Sequence, residues 1–229
     1  MSDNKAHHEG EQLEHIEHVL SGSEVFIEKN QKMITNVILG IIVVVLAIMA
    51  YNRYVVSPKE AEAQSQIFAG ELLFEQDSFR IAIEGDGNFM GFEYIVDKYG
   101  STASGNLAKY YTGISYFKLG DYDAAIKFLN KFDAEGEMMP PIKAGAIGDC
   151  YVELGDLSKA ISSFKKAASF DNDFTAPIYL KKCGIAYEAN GEQAKAIACY
   201  EDIKAKYSTS TEASDIDKYI ARAKALATK

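Results

Sequence analysis

The residue types that carry most enzyme chemistry fall into two groups, and the chain keeps them apart. All four histidines (His7, His8, His15 and His18) precede residue 19, and all three cysteines (Cys150, Cys183 and Cys199) follow residue 149. A Cys/His nucleophile pair, a Ser/His/Asp triad or a Cys/His zinc site needs its members within bonding distance, so none assembles within one copy. His15 and His18 stand at i, i+3 with His8 seven residues earlier. On a helix they would share a face able to take a metal, but no cysteine is near and so short a helix is marginal alone. They read as solvated. The cysteines form no CxxC, cannot all pair with one another, and read as small core thiols that do not decide the redox compartment. Gly85-Asp86-Gly87 has the glycine content of a phosphate loop but neither a preceding strand nor a following GK[ST]. The acids alternate with lysines, as on solvated helix faces. The chain reads as a non-enzyme with no metal and no cofactor.

The elements around these residues are more telling. The net charge of −9 argues against nucleic acid and against a polybasic grip on anionic lipid. It is spread out: residues 1–32 hold seven acids and three lysines, and residues 57–229 hold twenty-six acids and twenty bases. The 229 residues leave room for one membrane segment and one soluble domain with a continuous core.

Twenty residues from Met33 to Asn52 carry no charge, and Val37 to Ala50 is nearly all Ile, Leu and Val. As a helix, Ile34 to Tyr54 would span about 31 Å, which matches a hydrocarbon core of about 30 Å. Tyr51 and Tyr54 sit where an aromatic belt would, with Arg53 between them able to reach the headgroups. A cleaved signal peptide wants a short basic leader and a small-residue cleavage site; the leader here is long and acidic, and Tyr51-Asn52-Arg53-Tyr54 follows. A buried core helix of this length would show some amphipathicity. The segment is an uncleaved anchor. Lys29 and Lys32 flank one side, and Arg53 and Lys59 the other, so the positive-inside count is tied. Ahead of it, residues 1–23 form a polar arm in which Leu13, Ile16 and Leu20 fall on one helical face before Ser21-Gly22-Ser23. The expected division is 1–23 arm, 24–56 transmembrane helix with its flanks, and 57–229 soluble domain.

The soluble part repeats itself. Gly113, Tyr116, Leu119-Gly120-Asp121, Ala125-Ile126 and Leu129 recur as Gly148, Tyr151, Leu154-Gly155-Asp156, Ala160-Ile161 and Phe164. They recur again as Gly184, Tyr187, Asn190-Gly191-Glu192, Ala196-Ile197 and Tyr200, with spacings of 35 and then 36 residues. In each copy a small glycine lets the second helix approach the first, a tyrosine fills space against the next copy, and a glycine closes the first helix with a left-handed turn. An acid then opens the second helix, where the helix dipole favours it. This pattern resembles the tetratricopeptide repeat (TPR) family, whose unit is about 34 residues. Phe92-Glu93-Tyr94-Ile95-Val96-Asp97-Lys98-Tyr99 parallels Tyr200 to Tyr207, which marks a degenerate earlier unit with helices at 59–76 and 88–99 and an inserted connection between them. Thr211 to Ala227 reads as a capping helix with a solvated outer face. The fold class is all-α: a right-handed TPR superhelix of three clear repeats, one degenerate N-terminal repeat and a C-terminal capping helix, carried on one N-terminal transmembrane helix.

The TPR resemblance implies a concave surface lined by the first helix of each pair, which binds proteins. By register its candidates are Tyr110, Ile114, Phe117 and Lys118, then Asp149, Val152 and Glu153, then Lys181, Ile185 and Glu188. For Tyr110 and Phe117, packing between repeats is the competing role. The Lys/Asn lattice with which TPR co-chaperones clamp a C-terminal carboxylate is matched only by Lys181, the other positions holding Tyr110, Ile114, Gly145, Asp149 and Ile185. A mixed apolar and acidic groove suits an extended or helical protein segment. Glu135-Gly136-Glu137-Met138-Met139-Pro140-Pro141 reads as a stiff connection rather than an exposed contact. The whole layout is similar to the YfgM-like proteins of Gram-negative bacteria: an acidic arm, Phe26-Ile27-Glu28-Lys29-Asn30 entering the span, Pro58-Lys59-Glu60-Ala61, then TPRs. That resemblance implies an inner-membrane protein with its N-terminus in the cytoplasm and its TPR domain in the periplasm. The partners it implies are the Sec translocon and a membrane-anchored periplasmic chaperone; the alternative is an adaptor for another envelope assembly or secretion machine.

Overall fold

In the computed structural model, Phe26 and residues 29–228 are described, and they divide into two units at Ser57/Pro58. The expected polar arm, its four histidines and the entry to the span at Glu24 lie outside the described residues.

The first unit is helix α1 (residues 29–51), followed without a break by a π-helical turn at Asn52–Val56. Near its start the Asn30 side-chain amide donates to the Phe26 carbonyl at 2.9 Å. Among the described residues the one helix long and apolar enough to cross a membrane is the continuous run Lys29–Glu75 that contains α1, and none of its apolar window is buried. Val37, Leu39, Ile41, Val44 and Met49 all stand exposed, so its apolar surface runs all round rather than along one stripe.

The second unit is all helix among the described residues: α2 (Ser57–Glu75), α3 (Phe79–Glu84), α4 (Phe92–Tyr99), α5 (Ala103–Leu119), α6 (Tyr122–Lys131), α7 (Met139–Glu153), α8 (Leu157–Ala168), α9 (Ala176–Ala189), α10 (Gln193–Lys206) and, after a 3-10 turn at Glu212–Asp215, α11 (Ile216–Ala227). From α4 onward each helix packs on the next in chain order, as in a stack of hairpins.

The repeated residues explain the stacking. At Gly113 an added Cβ would come within 2.7 Å of Leu129 Cγ, and at Gly148 within 2.6 Å of Phe164 Cε1. At Gly184 it would run into the Tyr200 ring. Each pair therefore closes with the large side chain of its second helix laid over a glycine of its first. The second helices are started by acids: Asp121 accepts from the Ala124 N–H and Asp156 from the Lys159 N–H, both at 3.0 Å. Glu192, one methylene longer, makes no such cap and instead pairs with Lys195. Gly120, Gly155 and Gly191 have φ of +82°, +75° and +78°, the left-handed turn at which a Cβ is costly. Pro140 and Pro141 sit in the first turn of α7, where a missing N–H costs nothing. The Met-Pro stretch is thus the start of a helix.

Two parts of the unit differ from the sequence expectation. The connection between α2 and α4 contains a short helix of its own, α3, and α4 starts at Phe92 rather than residue 88 because Gly91 turns the chain with φ +88°. Within that connection the Asp86 carboxylate accepts the N–H groups of Asn88 and Phe89 at 2.9 and 2.8 Å, closing a turn on itself. On α2, Ala63, Ile67 and Gly70 face the Phe89, Phe92 and Ile95 cluster. Glu60 crosses to the start of α5, accepting the Ser104 N–H at 3.1 Å and its hydroxyl at 2.6 Å. Burial works against that charge, but the Ser104 bonds hold its carboxyl below the usual carboxylate range.

Candidate protein-binding surface

The first helices of the three pairs form a layer. α5 touches α7 and α7 touches α9, whereas α6, α8 and α10 make no comparable contact with one another. Successive pairs are thus closer together on the α5/α7/α9 side, the side on which a bending stack is concave.

The expected site residues on this layer have three distinct fates. Tyr110, Ile114 and Phe117 come together, packed against Ala125, Leu129 and Cys150. The Tyr110 ring meets Phe132 at 5.5 Å and Phe117 meets Tyr122 at 5.7 Å, and burial raises the Tyr110 phenol above its ordinary pKa. These side chains are half-buried and bind their own repeat first. Asp149, Lys181 and Glu188 are all held by partners within the chain. Lys182 of α9 donates to both Asp149 oxygens at 2.7 and 2.8 Å across the α7–α9 junction. Lys181 reaches Asp215 at 2.8 Å and lies 4.4 Å from the Tyr219 ring centroid. Glu188 takes a two-pronged grip from Arg222 of α11, both bonds at 2.9 Å, together with the Tyr200 hydroxyl at 2.6 Å. These charges stitch neighbouring helices together. Lys118 and Glu153 are exposed, and Glu153 receives only a long hydroxyl contact from Tyr122 at 3.4 Å.

Apart from Lys118 and Glu153, what remains open on this layer is apolar. Val152 is 40% exposed, Ile178 38% and Ile185 43%. Val152 lies one turn from Asp149, while Ile178 and Ile185 lie one turn on either side of Lys182. The Asp149–Lys182 bridge therefore places the three on one side of the molecule, around a charge pair that is already neutralised. Ile178, and Phe174 just before α9, were missed by the register argument. The spacing of seven between Ile178 and Ile185 would have found the first, since two helical turns return to one face. Among the described residues no group of three or more His, Cys, Asp or Glu side chains is placed to hold a metal ion.

This is an all-α fold of repeated helix pairs with an apolar, charge-compensated face. Sequence models of the tetratricopeptide repeat match residues 107–134, 145–174 and 182–210, the segments that form α5–α6, α7–α8 and α9–α10. These three segments are tetratricopeptide repeats, and repeats of this kind are known scaffold or adaptor modules. Comparison with curated proteins finds no match. Among solved structures, the chain is similar to the nearly identical TPR-like repeats of a putative kinesin light chain from Podosopora anserina, with 14% identity and a TM-score of 0.56 over 74% of this chain and 88% of that one. It is also similar to the first TPR of Spaghetti (RPAP3) bound to HSP90 peptide SRMEEVD, with 24% identity and a TM-score of 0.42 over 52% and 93% of the two chains. A further match is PcrH in complex with the chaperone binding region of PopB, with 18% identity and a TM-score of 0.42 over 55% and 96%. At 14% identity the likeness to the kinesin-light-chain repeats is one of fold.

Proposed function

We propose that the chain is a membrane-anchored TPR scaffold that holds other proteins at the inner-membrane export site, assisting the Sec translocon and a periplasmic chaperone. In this reading α1 spans the membrane with the N-terminus in the cytoplasm. The periplasmic domain is a right-handed superhelix of three repeats, with α2–α4 as a degenerate first repeat and α11 as the cap. A helix with apolar side chains on every side is stable in lipid and costly in water, which supports the anchor; the YfgM-like layout supports the orientation and the partners.

The observation that carries protein binding is the exposed strip Val152, Ile178 and Ile185 on the α7/α9 face. Because Asp149, Lys181 and Glu188 are already paired in the chain, the surface offers no free charge lattice for a carboxylate tail. It suits an apolar or amphipathic segment laid over Ile185, flanked by the half-buried Tyr110, Ile114 and Phe117 and by the free charges of Lys118 and Glu153. Photo-crosslinkers placed along the span (residues 37–51) in cells test the placement. Translocon subunits recovered there are the expected result. Their absence, with subunits of another envelope machine recovered instead, would replace this partner assignment with that one.

A further inference from the structure

The third hairpin carries a thiol pair. Cys183 on α9 and Cys199 on α10 each lie eight residues from Gly191, the turn between the two helices, so the antiparallel register sets them opposite one another. The helices pack tightly here: Gly184 beside Cys183 receives the ring of Tyr200 beside Cys199. Cys183 belongs to one core cluster and Cys199 packs against it. Both line a cavity of about 670 Å³ whose walls include Lys165, Leu180, Tyr187 and Lys195. Cys183 is fully buried in the hairpin core, whereas Cys199 is partly exposed at its edge. Disulfides need Cα atoms within about 7 Å and side chains that point together, and the two cysteines face the same cavity from helices paired across the Gly191 turn.

We infer that Cys183 and Cys199 are a reversible disulfide-forming pair, oxidised by disulfide reagents that reach Cys199 through this cavity. The neighbouring Cys183 thiol, aided by the Lys165 ammonium, draws the Cys199 thiol below its ordinary pKa, while the Cys199 thiol and burial push Cys183 up. Cys199 is therefore the first nucleophile. Its thiolate attacks one sulfur of the oxidant RSSR, forming a mixed disulfide and releasing one RS⁻. Cys183 then gives up its proton and attacks the Cys199 sulfur, which releases the second RS⁻. Two electrons pass from the cysteine pair to the oxidant, which leaves as two thiols. Cys150 is fully buried in the separate α5–α7 cluster, where burial pushes its thiol up to about 12, and it stays reduced.

The test is to equilibrate the full chain in detergent micelles with excess oxidised glutathione, then denature it, count thiols colorimetrically and map peptides by mass. The expected count falls from the three free cysteines of the starting protein to one, with Cys183 and Cys199 in a linked peptide. Cys183→Ser should stop at a glutathione adduct on Cys199, and Cys199→Ser should keep both remaining thiols. Three thiols surviving in the folded parent, a lasting glutathione adduct on Cys199 with Cys183 reduced, or Cys150 in the linked peptide would each overturn the inference. Should either serine variant lose its far-UV helicity, the parent's thiol count and peptide map decide alone.

Discussion

Phe164→Ala should be the most damaging truncation in the repeats, and its size follows from where the ring sits. Phe164 is 1% exposed, lies over Gly148 of α7 and belongs to the core cluster that continues through Tyr179, Tyr200 and Ile216 to α11. A buried aromatic ring removes about 150–250 Å² from water, which at ~25 cal/mol per Å² is about 4–6 kcal/mol. Measured Phe→Ala costs of about 3–5 kcal/mol agree. α7–α8 lies between the other two hairpins, so both of its interfaces weaken together, and in a linear array stability is the sum of units and interfaces. Against a total of about 5–15 kcal/mol this is a large fraction. Urea unfolding of the full chain in micelles, followed by far-UV circular dichroism, should show a midpoint lowered by about 2 M for a slope of about 2 kcal/mol/M. Phe170→Ala, two residues past the end of the same helix at a side chain 43% exposed, should cost under about 1 kcal/mol. If the two variants unfolded at the same urea concentration, the reading of Phe164 as the keystone between Gly148 and the α9–α11 core would be refuted.

Asp156→Ala should cost about 1 kcal/mol through loss of the cap on the Lys159 N–H, whereas Glu192→Ala should cost less, because Glu192 caps nothing; the two urea midpoints report the contrast. Glu188 gives a pH signature. Burial opposes its charge, but bonds from Arg222 and Tyr200 hold its carboxyl below the 4.5 of an unperturbed glutamate. With the folded value depressed, its contribution to stability is fully present above about pH 4.5 and is lost as pH falls below that, through the folded value. Glu188→Gln should flatten this part of an acid-unfolding profile while lowering the neutral-pH midpoint; an unchanged profile would show that the Arg222 grip does not couple α9 to α11. Ile185→Asp, on an open side chain, should leave the unfolding free energy within about 0.5 kcal/mol of the parent while abolishing crosslinks to partner segments at neighbouring Val152.

Much of this fold is legible in the sequence because it is local. The glycine that admits a ring, the glycine that turns left-handed and the acid that opens a helix each act within one hairpin, and three hairpins repeat them. The illegible parts are those that depend on distance along the stack. Lys182 lies 33 residues from Asp149, and Arg222 lies 34 from Glu188; nothing in either local pattern marks these as partners. Asp149, Lys181 and Glu188 therefore read from sequence as groove charges, while in the fold they tie neighbouring helices. Helix α3 was hidden for a different reason: six residues between turns are too few to show a period. The Cys183–Cys199 register also needs the turn at Gly191 to be placed before the two thiols can be set opposite each other.

The central claim for this molecule is that the α7/α9 face holds protein segments. In-cell photo-crosslinking from Ile185, with Lys127 on the exposed side of α6 as the reference position, measures that directly. The expected result is adducts with exported polypeptides or their chaperone at Ile185 and none at Lys127. Equal capture at both positions, or none at Ile185 in a chain that is folded and membrane-bound, would contradict it.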